Sequence, residues 1–326
     1  MNPIDALGLA SVEADLARLE PLLSTSVETG EAFLDEVTTH LIKAGGKRLR
    51  PLLGLASATS GEWPASDDDL MGAVSVELVH LASLYHDDVM DEAVMRRNVE
   101  SVNSRYGNLV AIVAGDYLLA RSAAIAADLG TEVASVIANT LALLTQGQVS
   151  EVRTAFSVER TDADYRVAIG GKTAALMATA CRVGAITAGR SVEQTEALTT
   201  FGYSFGMMYQ LRDDVLDVTA TSGQLGKPAG QDLAEGIYTL PVLVALQDPV
   251  LGSELAAILG APLSDVEREA ARSLVEQSTG IAATVAEAHR YLDEARVAAL
   301  SLPSSDLARG MVNLGALLLS DLPALV

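Results

Sequence analysis

Apolar residues recur at three- and four-residue steps along most of the chain, as in Leu9, Val12, Leu16 and Leu19 and again in Val74, Leu78 and Leu81. That spacing lays an apolar stripe along one face of an α-helix. Period-two alternation bounded by Asn-Gly or Asp-Gly turns is missing, so the pattern predicts an all-α protein. Breaks fall between the helical stretches: Gly45-Gly46, Ser60 to Pro64, Leu129-Gly130, Gly223 to Gly230, and Leu302-Pro303-Ser304-Ser305. Ser66 followed by Asp67, Asp68 and Asp69 is a helix start, with acids favouring the positive end of the helix dipole. No Pro/Ser-rich linker or low-complexity tract divides the sequence, and the expectation is one large helical domain over 1–326.

Composition sets limits on that domain. Hydrophobic residues make up 49% of the 326 residues but aromatics only 4%, so the core has to be built mainly from Ala, Leu and Val. Asp and Glu number 43 against 22 Lys and Arg, a formal net charge of −21. Nucleic acid and anionic membrane surfaces are poor partners for such a chain, because neutralising phosphates requires surplus bases. Cys181 is the single cysteine. It excludes an internal disulfide and reads as a small buried helix residue rather than a nucleophile. The first residues lack the basic and apolar regions of a signal peptide, and no stretch reaches about 18 uninterrupted apolar residues, which predicts a cytoplasmic protein with no transmembrane segment.

Two carboxylate clusters interrupt the apolar helical stretches. His86-Asp87-Asp88-Val89-Met90-Asp91 is matched by Arg212-Asp213-Asp214-Val215-Leu216-Asp217. On a helix the first and last aspartates of each cluster lie one turn apart on one face. Asp87 would project with Asp91, and Asp213 with Asp217, and each pair repels itself unless a cation intervenes. Carboxylate oxygens suit Mg²⁺, which usually completes its shell with substrate phosphate and water rather than with protein alone. The cations of this acidic chain are correspondingly informative. Gly45-Gly46-Lys47-Arg48-Leu49-Arg50-Pro51 combines a permissive backbone with a fork-shaped phosphate donor at Arg50 and a point charge at Lys47. Arg96-Arg97, Lys172-Thr173 and Lys227 add donors. The spacing is not that of a P-loop.

In this order the signatures resemble the trans-isoprenyl (polyprenyl) diphosphate synthases, the all-α family that includes farnesyl and geranylgeranyl diphosphate synthases. Glu77-Leu78-Val79-His80, Gly115-Asp116-Tyr117-Leu118, Gly171-Lys172-Thr173-Ala174, Gln210, Gly226-Lys227-Pro228 and Thr239-Leu240-Pro241 complete the set, which runs from about residue 40 to 245. The resemblance implies a helical bundle around a central cavity, and a homodimer. It implies a prenyltransferase that joins isopentenyl diphosphate head-to-tail to an allylic diphosphate. Asp87, Asp91 and Asp213 would hold Mg²⁺, three ions when substrate is bound, with Asp88 and Asp214 counted among the catalytic aspartates. Arg96, Lys172, Thr173, Gln210 and Lys227 would bind the allylic diphosphate, with Thr173 and Gln210 turning oxygen dipoles to the developing cation. Lys47, Arg50, His80 and Arg97 would grip isopentenyl diphosphate, although His80 taken alone reads as a core histidine.

Family members set product length at the residues one turn before the first aspartate. Here those are Ala82 and Ser83, with Val79 one turn deeper and Tyr85 off that face. None of the three is aromatic, so the cavity floor is expected to be open and the product long, C35 to C50, with a C15 or C20 product as the alternative. Such a product could be handed to a membrane. Class I terpene cyclases and noncatalytic synthase subunits are remote alternatives. A cyclase has no need of the Gly-Gly-Lys-Arg site, and a noncatalytic subunit need not keep every motif aspartate. Three positions depart from the common pattern: Asn98 where Gly often follows the double arginine, Tyr209 where Phe often precedes Gln210, and Ile237 where many relatives have Lys.

Overall fold

The computed structural model describes residues 2–59, 63–220 and 229–323. They are overwhelmingly helical, as the periodicity predicts; the strands among them are Met95–Arg96 and Val99–Glu100, a short antiparallel ribbon. The chain forms two compact units interleaved in sequence. One comprises Met1–Leu141, Leu176–Gly202 and Ala299–Met311, the other Ala142–Ala175, Tyr203–Ala298 and Val312–Val326.

The first unit is organised by the helix Asp67–Met90. It starts where the sequence places it. The Ser66 side chain accepts from the Asp69 amide at 3.2 Å, and the Asp69 carboxylate accepts from the Ser66 amide at 2.9 Å. This reciprocal capping box satisfies amides that a helix start leaves without partners. The helix packs along Asn108–Asp128, and the contact is lined by small residues. Gly115 is required there: a Cβ would stand 2.3 Å from Nε2 of His86. Leu70, Val74, Leu78, Leu81, Ala82 and Tyr85 join Ala111, Ala114, Leu118 and Ile125 in one buried cluster. Each buried leucine or valine in it contributes about 1.5–3 kcal/mol. The aromatic-poor composition is thus accommodated by close helix packing.

Asn108–Asp128 is long and apolar enough to cross a membrane by length and composition alone. Its Ala111, Ala114, Leu118 and Ile125 are instead committed to the protein core, while Leu109, Ile112 and Val113 are exposed.

In the second unit the helix Asp162–Ile169 runs into a π-helical turn, Gly170–Ala174. A Cβ on Gly171 would lie 2.5 Å from the Leu143 carbonyl, and one on Gly147 would lie 2.8 Å from the Lys172 amide. Paired glycines therefore let the turn press backbone to backbone against the helix Thr131–Thr154. That contact fixes the positions of Lys172 and Thr173.

Candidate active site

The first aspartate cluster ends the helix Asp67–Met90, with Asp91 at its C-cap. Helical geometry separates its members. Asp87 is half-buried and Asp91 exposed, whereas Asp88 is completely withdrawn from solvent. Arg96 answers Asp88, its Nε and Nη2 lying 2.7 and 2.6 Å from Oδ1. Burial pushes the Asp88 carboxyl up from its ordinary pKa, and Arg96 and Arg97 oppose the shift. Arg96, expected on the allylic diphosphate, is thus held by an aspartate of the motif it follows.

A two-residue hairpin delivers that arginine. Arg97 and Asn98 form its tip with φ of 53° and 63°. Left-handed backbone at both central positions is the signature of a type I′ turn, for which asparagine is among the best non-glycine residues. The Asn98 departure therefore keeps the turn. Arg97 folds back to donate to the carbonyls of Leu41, at 3.1 Å, and of Gly45. A Cβ on Gly46 would lie 3.0 Å from its guanidinium carbon, so Gly46 makes room for Arg97.

Arg97, Arg50 and His80 belong to one electrostatic neighbourhood. Burial, then Arg50, Arg97, Arg48 and Arg96, hold the His80 pKa well below the usual imidazole range. His80 is therefore a neutral hydrogen-bonding group among guanidinium charges. Lys47 is exposed and Arg50 half-buried. Arg48 differs from its neighbours. It is 7% exposed, donates to Glu20 at 2.7 and 3.1 Å, to Glu77 at 2.9 Å and to the Ile42 carbonyl at 3.2 Å. This buried clamp anchors the glycine loop, and neither Glu20 nor Glu77 carries a role in the sequence reading.

The second unit holds a pocket of about 160 Å³ lined by Glu151, Arg160, Tyr165, Lys172, Thr173, Gln210, Asp214, Asp232, Ile237 and Thr239, among others. Thr173 donates to Oε1 of Gln210 at 2.9 Å, and Nε2 of Gln210 donates to Oδ1 of Asp214 at 2.9 Å. The Tyr165 hydroxyl donates to the other oxygen of Asp214. Donating its proton to Gln210 leaves the Thr173 oxygen with lone pairs for an electron-poor ligand. Burial pushes Asp214 up to about 7, with Tyr165 and Gln210 opposing and Asp213 and Asp217 adding to the rise. Lys172 is paired with Glu151.

The sequence signals for Glu151 and Tyr165 are weak. Glu151 follows Gly147-Gln148 within a helix, and Tyr165 precedes Lys172 by seven residues, about two helical turns.

The two ends of the second cluster do different work. Asp213 is 40% exposed and 2.9 Å from Nη1 of Arg212, which also pairs with Asp321. Asp217 is buried, its carboxylate accepting from the Asp232 amide at 3.2 Å and its carbonyl from the Gly230 amide at 2.8 Å. The two aspartates stand one turn apart on one helix, as expected, with Asp217 holding backbone. Lys227 lies outside the described residues. Cys181 is fully buried, and burial pushes its thiol up to about 12, as expected of an inert packing residue.

The expected length-setting residues also separate. Ala82 is part of the core cluster with Leu78, Leu81 and Tyr85, and the Tyr85 hydroxyl is anchored on the Val37 carbonyl at 2.7 Å. Ser83 is half-buried one turn before Asp87 and donates to the His80 carbonyl at 2.9 Å. Val79 is buried outside that cluster. Ser83 rather than Ala82 shares the helix face of Asp87.

Among the described residues no three carboxylates, imidazoles or thiolates converge as a ready-made metal cage. The donors on offer, Asp87, Asp91 and Asp213, are all carboxylates on or near the surface. Asp87 and Asp91 in the first unit, and Asp213 in the second, are each donors of the kind a hard divalent cation takes when water and phosphate oxygen complete its shell.

A family model described as Polyprenyl synthetase matches residues 31–277. The nonaprenyl diphosphate synthase of Mycobacterium tuberculosis is 38% identical over 313 residues, covering 95% of this chain and 93% of that one. Component 2 of the heptaprenyl diphosphate synthase of Geobacillus stearothermophilus is 38% identical over 301 residues, covering 92% and 93%. Among solved structures, a geranylgeranyl pyrophosphate synthase from Corynebacterium glutamicum, complexed with calcium and isoprenyl diphosphate, superposes with a TM-score of 0.84 at 38% identity, covering 96% of each chain.

Proposed function

The chain belongs to the polyprenyl synthetase family, and from that premise we propose that it condenses isopentenyl diphosphate with an allylic diphosphate to a trans-polyprenyl diphosphate of C35 to C50. The observation that carries the reading is the Thr173–Gln210–Asp214–Tyr165 hydrogen-bond chain beside Lys172 in one pocket. It fixes oxygen dipoles where an allylic cation would develop and a cation where its diphosphate would leave.

Asp87, Asp91 and Asp213 would hold Mg²⁺. The ion, when bound, supplies charge neutralisation to the departing diphosphate. Lys172 adds a charge-assisted contact to that diphosphate. Thr173 turns its oxygen to the electron-poor carbon chain, and Gln210 holds the hydroxyl in that orientation. Lys47, Arg50 and Arg97 orient isopentenyl diphosphate, with neutral His80 donating a hydrogen bond. The isopentenyl double bond then attacks the allylic cation, and the proton lost passes to the departing pyrophosphate.

Long-chain synthesis is supported by the small Ser83 and Val79 and by the relatives named nonaprenyl and heptaprenyl synthases. The geranylgeranyl synthase of equal identity keeps the C20 product as the second reading. The exposed Leu109, Ile112 and Val113 on the helix Asn108–Asp128 are offered as the face of a homodimer. The relative named as a component makes a second, different subunit the rival arrangement. Incubating the purified chain alone with farnesyl diphosphate and labelled isopentenyl diphosphate tests the activity. Label is expected in an apolar product with Mg²⁺ and not with chelator. Absence of product with Mg²⁺ would refute the reading for the isolated chain.

A further inference from the structure

Two arginines among the described residues are buried to a similar degree and treated in opposite ways. Arg48, 7% exposed, is fully answered by Glu20, Glu77 and the Ile42 carbonyl. Arg160, 5% exposed, makes one hydrogen bond among the described residues, from Nη1 to the Tyr238 carbonyl at 3.2 Å. Its Nε is buried without a partner, and it forms no ion pair among those residues. A guanidinium has five N–H donors, and a buried charge left in this condition is costly. Its other neighbour is the face of Tyr165, 5.8 Å away, a weak partner.

Of the carboxylates that line its pocket, Glu151, Asp214 and Asp232, none forms an ion pair with it among the described residues, and Glu151 and Asp214 act on it at a distance. Glu151 is taken by Lys172, and Asp214 by Tyr165 and Gln210. Burial pulls the Arg160 pKa down, with Glu151 and then Asp214 opposing. Ile237, which lacks the cation many relatives carry there, lines the same pocket next in sequence to Tyr238.

We propose that Arg160 is a further diphosphate-binding residue, the anion-facing partner of Lys172 in the pocket of the second unit. This rests on the reading of that pocket as a diphosphate site. Arg160 supplies from the Asp162–Ile169 side the charge that position 237 does not. Its Tyr238 contact and the Tyr165 ring hold the guanidinium plane so that its remaining donors await phosphate oxygens.

The test uses the whole chain, with inorganic pyrophosphate and Mg²⁺ as the probe in titration calorimetry, alongside thermal unfolding and steady-state kinetics. Arg160→Gln is expected to weaken pyrophosphate roughly 10- to 100-fold and to raise KM for the allylic substrate more than for isopentenyl diphosphate. Adding Ile237→Lys to Arg160→Gln should recover much of the affinity, because it returns a cation without returning the Tyr238 contact. A merely structural arginine would not be rescued in this way. Unchanged pyrophosphate affinity in Arg160→Gln, or a folded double variant with no recovery, would overturn the proposal. If Arg160→Gln does not fold, Arg160→Lys serves: weaker binding at an unchanged melting temperature supports the assignment, and unchanged binding overturns it. A wild-type chain that condenses substrates while Arg160→Gln binds normally refutes Arg160 alone. A wild-type chain that neither binds pyrophosphate nor condenses substrates refutes the diphosphate reading beneath it.

Discussion

Asp88 and Asp214 hold the same place in the same five-residue pattern, and both are withheld from solvent. Asp88 is met by a cation, Arg96, carried on the first strand of the hairpin. Asp214 is met by the neutral hydroxyl of Tyr165 and the amide of Gln210. Repetition in the sequence therefore does not mean repetition of environment. In the first cluster the middle aspartate fixes a basic arm. In the second it terminates a chain of hydrogen bonds that orients Thr173. The flanking aspartates, Asp87 and Asp213, keep accessible carboxylates in both and are the shared part.

The largest expected effect strikes that shared part. Asp87→Ala and Asp213→Ala should each lower turnover by several orders of magnitude with helical content intact, measured by steady-state kinetics and circular dichroism. Near-normal activity in either would break the equivalence of the two clusters. Next come the isopentenyl contacts. Lys47→Ala and Arg50→Ala should each cost about 1.5–3 kcal/mol of isopentenyl diphosphate binding, a rise in its KM well beyond that of the allylic substrate. Equal effects on both substrates would show the basic arm to serve a different diphosphate.

The middle aspartates differ in stability. Arg96→Ala strands a fully buried carboxylate and should cost about 2–3 kcal/mol, discounted because Arg96 itself is partly exposed. Tyr165→Phe removes one neutral donor and should cost about 1 kcal/mol. Urea denaturation of both variants checks the order, and the reverse ranking would break the comparison.

The remaining contrast concerns pH. Asp214 has a folded pKa of about 7, above its ordinary value of 3.8. Its contribution to stability is complete below about pH 4 and is lost as the pH rises through about 7. Metal-free wild-type protein should therefore lose stability over that window relative to Asp214→Asn, and parallel profiles would contradict the assigned environment.

Much of this was legible in the sequence, for identifiable reasons. The start at Ser66, the burial of Cys181 and the order of the motifs depend on local spacing, which a sequence displays directly. Arg96, Glu77 and Tyr165 lie 8, 29 and 49 residues from their partners Asp88, Arg48 and Asp214. Contacts of that separation are made by folding and leave no periodic trace. The Arg97-Asn98 turn carries neither Asn-Gly nor Asp-Gly, the dipeptides that mark a two-residue hairpin in a sequence. Ala82 and Ser83 are adjacent small residues and look alike in the sequence. On a helix they point about 100° apart, one into the core and one along the Asp87 face.

That separation gives the central claim, growth to a long chain along the Ser83 face, its most direct test. The purified wild-type chain is incubated with Mg²⁺, farnesyl diphosphate and excess labelled isopentenyl diphosphate, and the dephosphorylated products are sized by reversed-phase chromatography. Products ending between C35 and C50 are expected, shortened in Ser83→Phe without loss of condensation. A wild-type product that stops at C15 or C20 would contradict the account.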